Sequence, residues 1–440
     1  MRRGVFLLAA ALAIAAIPPI APIALGQPEL PTEFTFTGSG YGHGIGMSQI
    51  GARGQALEGK SAIDIIKYYY PGTEVTPYPD NAMIRVNIGN QLSTATLSIV
   101  GKKGNFSLFV GDLKFGETGQ PIGSYGGDFT AIFNNSPDGI VPLLTSPTAK
   151  LAPFTPAKAW TLRWETGTVI NLKTPSVTRQ YAYGQINIKR VVTPITNYMA
   201  ITNTLRLHDE YLWGLGEMPS SWPTAALEAQ AIAARTYALL KLNRIRAECD
   251  CQIYNSTNDQ VFVGFSKESE PIYGEKWKQA VNNTFVDDES ALTVTLNGAP
   301  INAFYFSSSA GKTQNIKEVW RSEFSYLQGV PDPWSMDVSL NPRFINWVRK
   351  VPQLAMAQAF SLPDVMSYTI DERTSTGSVS KITGYSSAGR KSTISGEAFK
   401  SLVKLPSSWF ALVDPIPPAP FEDYSCPPRV LLKNLVCALT

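Results

Sequence analysis

Gly38-Ser-Gly-Tyr-Gly-His-Gly-Ile-Gly-Met-Ser-Gln49 opens the informative part of this chain, and Gly216-Glu-Met-Pro-Ser-Ser-Trp-Pro223 answers it from far downstream. The glycines at 38, 40, 42, 44 and 46 carry no side-chain bulk, so the backbone there folds tightly and approaches a partner closely. Just before them, Glu33-Phe-Thr-Phe-Thr37 alternates as a strand. Ser48 is placed to cap a short helix that Gly59 ends. Ser61 and Asp64 read as a capping box for a second helix through Ala62, Ile65, Ile66 and Tyr69. Pro71-Gly72 stops it.

From about 76 to 182 helix signals are sparse. Short alternating runs such as Met83-Ile-Arg-Val-Asn-Ile88 and Phe106-Ser-Leu-Phe-Val110 are separated by Gly, Asn, Asp and Pro, which predicts a β-rich region. The clearest helix runs from 223 to about 246, with Pro223 in its first turn and small or apolar residues at Ala226, Leu227, Ala233, Leu240 and Ile245. Strands are expected at 291 to 296 and 301 to 307, and helices near 275 to 284, 352 to 360 and 395 to 404. Phe410-Ala-Leu-Val413 reads as a last strand, beside 33 to 37. Pro415, Pro417, Pro418 and Pro420 then begin an irregular tail.

The first 26 residues read as a secretory signal. Arg2 and Arg3 form its charged region, Val5 to Ala16 its apolar core, and Ala24-Leu25-Gly26 a small-x-small cleavage site. Cleavage would leave residues 27 to 440 and no later stretch long enough to span a membrane. Losing Arg2 and Arg3 takes the formal charge from +3 to +1. A near-neutral chain does not suit nucleic acid, whose recognition needs a basic face. Four cysteines in an exported chain favour disulfides. Of the three pairings, spacing favours Cys426 with Cys437 and leaves Cys249 with Cys251 as a tight ring. Zinc is disfavoured, because neither His43 nor His208 stands at ligand spacing from a cysteine. No cofactor is expected.

Glu217 is the leading chemical candidate. It precedes Met218-Pro219 and is flanked by Trp213, Met218 and Trp222. A carboxyl among apolar walls loses hydration as an anion, so its pKa rises, as a general acid for a glycosidic oxygen requires. The positive end of the helix near Pro223 pulls the other way, and the bland alternative is that Glu217 merely caps that helix. No second carboxylate stands out at glycosidase spacing among Asp209, Glu210 and Glu228. That favours one group acting as acid and then base, with the sugar supplying its own nucleophile. His43, between two glycines, is either presented to a ligand or a turn histidine bonded to backbone. His208, beside Asp209 and Glu210, reads as a surface residue. Arg235, a charge inside an apolar helix, needs an anionic or carbonyl partner. It either bridges to Glu217 or binds substrate. Tyr305-Phe-Ser-Ser-Ser-Ala-Gly-Lys-Thr313 ends a strand in a hydroxyl-rich loop suited to sugar hydroxyls.

Taken together, these segments resemble the SpoIID/LytB family of sporulation stage II protein D and amidase-enhancer proteins. The matching pieces are His208 to Gly214, Glu217-Met218-Pro219 with Trp222-Pro223, and Ala229 to Ala238. Asp259-Gln-Val-Phe-Val-Gly264, the Tyr305 to Thr313 loop, Trp320 with Tyr326-Leu327 and Val330, and Gly42 to Gln49 complete them. The resemblance covers roughly 31 to 75 and 183 to 413. It implies a secreted lytic transglycosylase that cuts between N-acetylmuramic acid and N-acetylglucosamine in peptide-stripped peptidoglycan and leaves an anhydro-muramic end. It implies Glu217 as the catalytic residue, and His43, Gln49, Arg235, Gln260, Tyr305, Ser308, Ser309 and Thr313 are expected as substrate contacts. The alternative is a glycan-binding protein that enhances a cell-wall amidase.

The expected fold is α+β, a SpoIID-like catalytic domain with circularly permuted motif order and a β-rich accessory region. The permutation is expected because the His-Gly-x-Gly-Met-Ser-Gln segment opens this chain, whereas it closes the domain in sporulation-type relatives. The expected parts are a signal at 1 to 26, the strand and glycine-rich segment at 27 to 75, the β-rich region at 76 to 182, the core at 183 to 413 and the tail at 414 to 440. Two departures stand out. Asn258 and Asp259 occupy the place where metal-bearing relatives carry Cys and His ligands. Phe262 replaces a tyrosine.

Overall fold

The computed structural model describes residues 29–411. The signal-like segment and the tail with Cys426 and Cys437 lie outside the described residues. The architecture is α+β, and its described residues form two main hydrophobic cores and a small cluster of Val191, Tyr198 and Ala200.

The larger core is framed by two sheets. In the seven-stranded one, Met83–Leu92 lies between Ile253–Tyr254 and Asn197–Arg206. The order then continues through Gln185–Val192, Ala159–Trp164 and Asn105–Val110 to Gly123–Gly126. The five-stranded one carries Thr94–Ile99 between Ile170–Lys173 and Thr130–Ser136. The β-rich region is therefore confirmed as β, but it shares a sheet with Gln185–Val192 and Asn197–Arg206. The boundary expected at 182 runs between paired strands.

Helices α1 (Gln49–Leu57) and α2 (Ala62–Tyr69) start where local chemistry dictates. The Ser48 hydroxyl accepts from the Gly51 amide, and Ser61 and Asp64 form the reciprocal capping box. Both pack on α3 (Thr224–Lys241), which also meets α4 (Gly274–Asn282). Ala226, Ala229, Ala231, Ala233, Ala234 and Ala238 are all fully buried, so α3 accepts neighbours on every side. It ends at Lys241, short of the expected 246, and Ile245 is exposed.

The smaller core gathers Phe36, Trp347, Val351, Phe360, Phe399 and Phe410. It holds α6 (Gln353–Phe360) and α7 (Gly396–Leu402), which follow the short α5 (Ile316–Trp320). A three-stranded sheet of Ser367–Arg373, Val379–Tyr385 and Lys391–Ser395 completes it. Strand Glu33–Gly38 pairs antiparallel with Trp347–Pro352. Among the described residues it also meets Phe410 as expected, in an antiparallel bridge at Gly38: the Ala411 amide donates to the Thr37 carbonyl at 2.8 Å and the Ser39 amide to the Trp409 carbonyl at 3.0 Å. The side chains of Phe36, Phe399 and Phe410 cluster with ring centroids about 5.5 Å apart, so aromatic packing backs the bridge.

Candidate functional site

The glycine-rich segment lies against the 304–309 strand and loop. Gly40, Gly42, Gly44 and Gly46 all have positive φ. A Cβ on Gly46 would stand 2.0 Å from the Phe304 carbonyl oxygen, so the close approach expected of this segment is real. The approach lets Met47–Ser48 pair in parallel with Tyr305–Phe306. That strand is shorter than the expected 301 to 307. A buried carboxylate pins the junction. Asp332 accepts from Tyr69 at 2.9 Å and from Ser309 and Ser335 at 2.6 Å each, and Ser335 meets Ser48 at 3.0 Å.

Helix α1 then reaches the downstream motif. Gln49 Nε2 donates to the Glu217 carbonyl and to Gln230 Oε1, each at 3.1 Å. The Glu217 side chain turns toward Val261, whose amide donates to Oε1 at 2.5 Å. Tyr305 donates its hydroxyl to the same carboxylate. Behind it, Gln260 Nε2 donates to the Tyr305 hydroxyl at 2.9 Å, and the Tyr211 hydroxyl donates to Gln260 Oε1 at 2.6 Å. Lys267 approaches from the other side and donates to the Met218 carbonyl at 2.7 Å.

Glu217 keeps partial exposure. Burial nevertheless dominates its carboxyl and pushes the pKa above the ordinary carboxylate range, against the Val261 amide, Tyr305 and Lys267, which favour the anion. The pull expected from α3 is not expressed as capping: Pro223 occupies the N-cap with no side-chain cap bond. Asp259, in the place of the relatives' metal ligands, is committed elsewhere. It accepts from Tyr237 at 2.8 Å, from both Arg246 terminal nitrogens and from the Tyr254 amide.

His43 joins this arrangement through backbone. Its Nδ1 accepts from the Ile45 amide at 3.1 Å, and the ring bonds the Tyr305 backbone. Phe306 and Trp320 stand 5.8 and 4.9 Å from it. Burial, with Lys400 adding to it, lowers its pKa to about 3, so the ring is neutral. Tyr305 thus meets His43 through its main chain and Glu217 through its hydroxyl.

Several expected substrate contacts are spent inside the protein. Arg235 is wholly buried, bonding Asp80 at 2.7 Å, Thr284 at 2.9 Å and the Leu292 carbonyl at 3.1 Å. It does not line a cleft with Glu217, because its charge is balanced by Asp80. His208 is also buried, against the expectation of a surface residue. It meets Asp80 at 2.6 Å and stacks on Phe285 at 4.0 Å. Ser308, Ser309 and Thr313 are buried as well. Ser309 serves Asp332, and Thr313 accepts from the Val330 amide at 2.9 Å. Gln260 is fully buried and acts on Tyr305 rather than on solvent.

Reading the sequence missed Tyr211, Lys267 and Asp80. Tyr211 sits in a quoted motif, whereas nothing local marks the other two. Phe262, in the place of a tyrosine, stacks between Tyr181 and Tyr211 at 6.2 and 5.4 Å. Cys249 and Cys251 are joined in a disulfide with Cα atoms 5.1 Å apart, which sets Asp250 between Arg85 and Lys189.

These features define an α+β protein whose two distant motifs converge on one desolvated carboxylic acid. Residues 196–286 match the SpoIID family, described as stage II sporulation protein. The amidase enhancer of Bacillus subtilis (strain 168) is 55% identical over 47 residues, 11% of this chain and 7% of that protein. Stage II sporulation protein D of the same organism is 27% identical over 203 residues, 44% of this chain and 54% of that protein. Its namesake from Bacillus amyloliquefaciens is 26% identical over 234 residues, 50% of this chain and 62% of that protein. The chain therefore spans less than two thirds of each of these relatives. No solved structure matches it. Over the matched segments the chain is similar to the SpoIID family and to the amidase enhancer.

Proposed function

We propose that this protein acts on the bacterial cell wall as a lytic transglycosylase, with Glu217 as its single acid and base. The observation that carries the reading is the Glu217 carboxyl, raised in pKa by burial and held by Val261 and Tyr305. A carboxyl that holds its proton more tightly than usual suits donation to a glycosidic oxygen. The bond from muramic C1 to the leaving N-acetylglucosamine O4 breaks as O4 takes the Glu217 proton. The muramic O6 hydroxyl then attacks C1 and returns its proton to the Glu217 carboxylate. The new C1–O6 bond closes the anhydro ring, and no water is consumed. Asp259 is occupied by Arg246 and Tyr237, which supports a one-carboxylate scheme over a pair.

The export reading stands beside this one. It draws on the signal-like N-terminus, and among the described residues no helix is long and apolar enough to cross a membrane. Permuted motif order remains our reading of how the glycine-rich segment reaches the site from the N-terminal side. The Gln49–Glu217 contact supports it. The likeness to a protein named amidase enhancer favours a second reading, in which the protein holds glycan without cutting it and assists an amidase.

Digestion of peptide-free and intact glycan, with mass detection of anhydro-muramic ends, tests the choice. The wild type should yield such ends and Glu217→Gln should lose them, by ~10²–10⁴-fold, while staying folded. A folded, active Gln variant would refute the assignment. Wild type that binds glycan without cutting it supports the second reading.

A further inference from the structure

Helix α1 carries more than Gln49 along the Glu217 turn. Arg53 is one helical turn further on the same face, about 6 Å along the axis. Its guanidinium lies 5.3 Å over the ring of Trp222, five positions beyond Glu217. One terminal nitrogen donates to the Leu340 carbonyl at 3.1 Å. Arg53 is partly exposed and forms no ion pair among the described residues. A guanidinium has five N–H donors, so most remain to be used. Trp222 is partly exposed too, and its carbonyl is fixed by Lys276 Nζ at 2.5 Å. The site thus sets an anchored aromatic face and an unpaired cation on the turn that bears the acid.

We propose that Arg53 and Trp222 form a specificity subsite for muramic acid, with Trp222 stacking on the sugar and Arg53 pairing with the lactyl carboxylate. This rests on the glycan reading above. The chemistry selects among glycans. The lactyl ether is the group that muramic acid has and N-acetylglucosamine lacks. It ends in a carboxylate only where the stem peptide has been removed, because the peptide converts it to a neutral amide. A fork-shaped cation recognises the first form and gains nothing from the second.

The plain alternative is a strut joining Trp222 to the Leu340 loop. Calorimetric titration of full-length Glu217→Gln protein separates the two without turnover. The probes are peptide-free glycan oligosaccharides and chitin oligosaccharides of equal length. Adding Arg53→Gln should weaken binding of the peptide-free glycan about tenfold to a hundredfold, the usual range for a charge-assisted contact, and leave chitin binding unchanged. Arg53→Lys should restore part of the loss and keep its sensitivity to salt. Equal losses on both probes, or none on either, overturn the subsite. Should Arg53→Gln fail to fold, the Lys variant decides: unchanged preference between the probes, at any salt, would sink the proposal. If the Glu217→Gln parent binds neither probe, the glycan reading itself fails, and the role of Arg53 with it.

Discussion

Gln49 and Glu217 are 168 residues apart in sequence, and the side-chain amide of the first is bonded at 3.1 Å to the main-chain carbonyl of the second. The bond fixes the turn that carries the acid, not the acid itself. Its removal should therefore misplace the carboxyl without changing its chemistry.

Gln49→Met keeps the length of the side chain and removes the donor to both the Glu217 carbonyl and Gln230. A hydrogen bond of this kind contributes about 1 kcal/mol, and an unsatisfied carbonyl costs about 1–3 kcal/mol. We expect kcat to fall about tenfold with KM nearly constant, read from steady-state release of anhydro-muramic ends.

The raised pKa of Glu217 has a sign that stability measurements can read. A carboxyl with a higher pKa folded than unfolded binds its proton more tightly when folded. Its stabilising contribution is complete below the unfolded value and is lost as pH rises through the folded one. Glu217→Gln should thus melt at a higher temperature than wild type at pH 7, with the difference vanishing below the ordinary carboxylate range. If Glu217 is the acid of the proposed reaction, cleavage by wild type should fall on the alkaline side as it ionises. Thermal scans from acid to neutral pH check the first, and a pH–rate profile the second.

Asp80 holds Arg235 and His208 together with no exposure of its own carboxylate. Asp80→Ala leaves a buried guanidinium without its counter-charge, and Arg235 already has a pKa lowered to about 10 by burial. Loss of one partner of a buried pair typically costs about 3–5 kcal/mol. Urea unfolding should show a loss of that size.

Gly46→Ala places a methyl group against the Phe304 carbonyl in a left-handed backbone. It should break the short pairing that seats Tyr305 and reduce activity more than Gly59→Ala. The latter also has positive φ but meets nothing within 4 Å. Comparing activity and melting temperature of the two variants isolates the collision from the backbone preference.

Cys249 and Cys251 should both resist thiol labelling in unfolded, unreduced protein. Labelling at these two positions, mapped by peptide mass, would show the ring to be open.

What the sequence made legible was local or repetitive. The Ser48 cap, the Ser61–Asp64 box and the buried α3 each announce themselves within a few residues, and the structure has all three. The raised pKa of Glu217 was expected from Trp213, Met218 and Trp222, and its direction holds, but the groups found at the carboxyl are the Val261 amide and Tyr305. Polar residues with distant partners were not. His208 looks solvated beside Asp209 and Glu210, yet its partner Asp80 lies 128 residues away. The run Ser307-Ser308-Ser309 suits a sugar as well as it suits a buried carboxylate, and only the position of Asp332 decides between them. Strand Trp347–Pro352 escaped notice because its middle residues Val348, Arg349 and Lys350 are all exposed, so no alternation marks it.

The bond between Ser48 and Ser335 spans 287 residues. A ribosome extends the chain from the N-terminus, so the glycine-rich segment emerges long before the loop that receives it. Until residue 335 has been made and released, Ser48 lacks its Ser335 partner, and the buried cluster around Asp332 stays incomplete. Closing so long a loop is entropically late in folding. The junction between the glycine-rich segment and residue 335 would therefore close late, after most of the chain has been made.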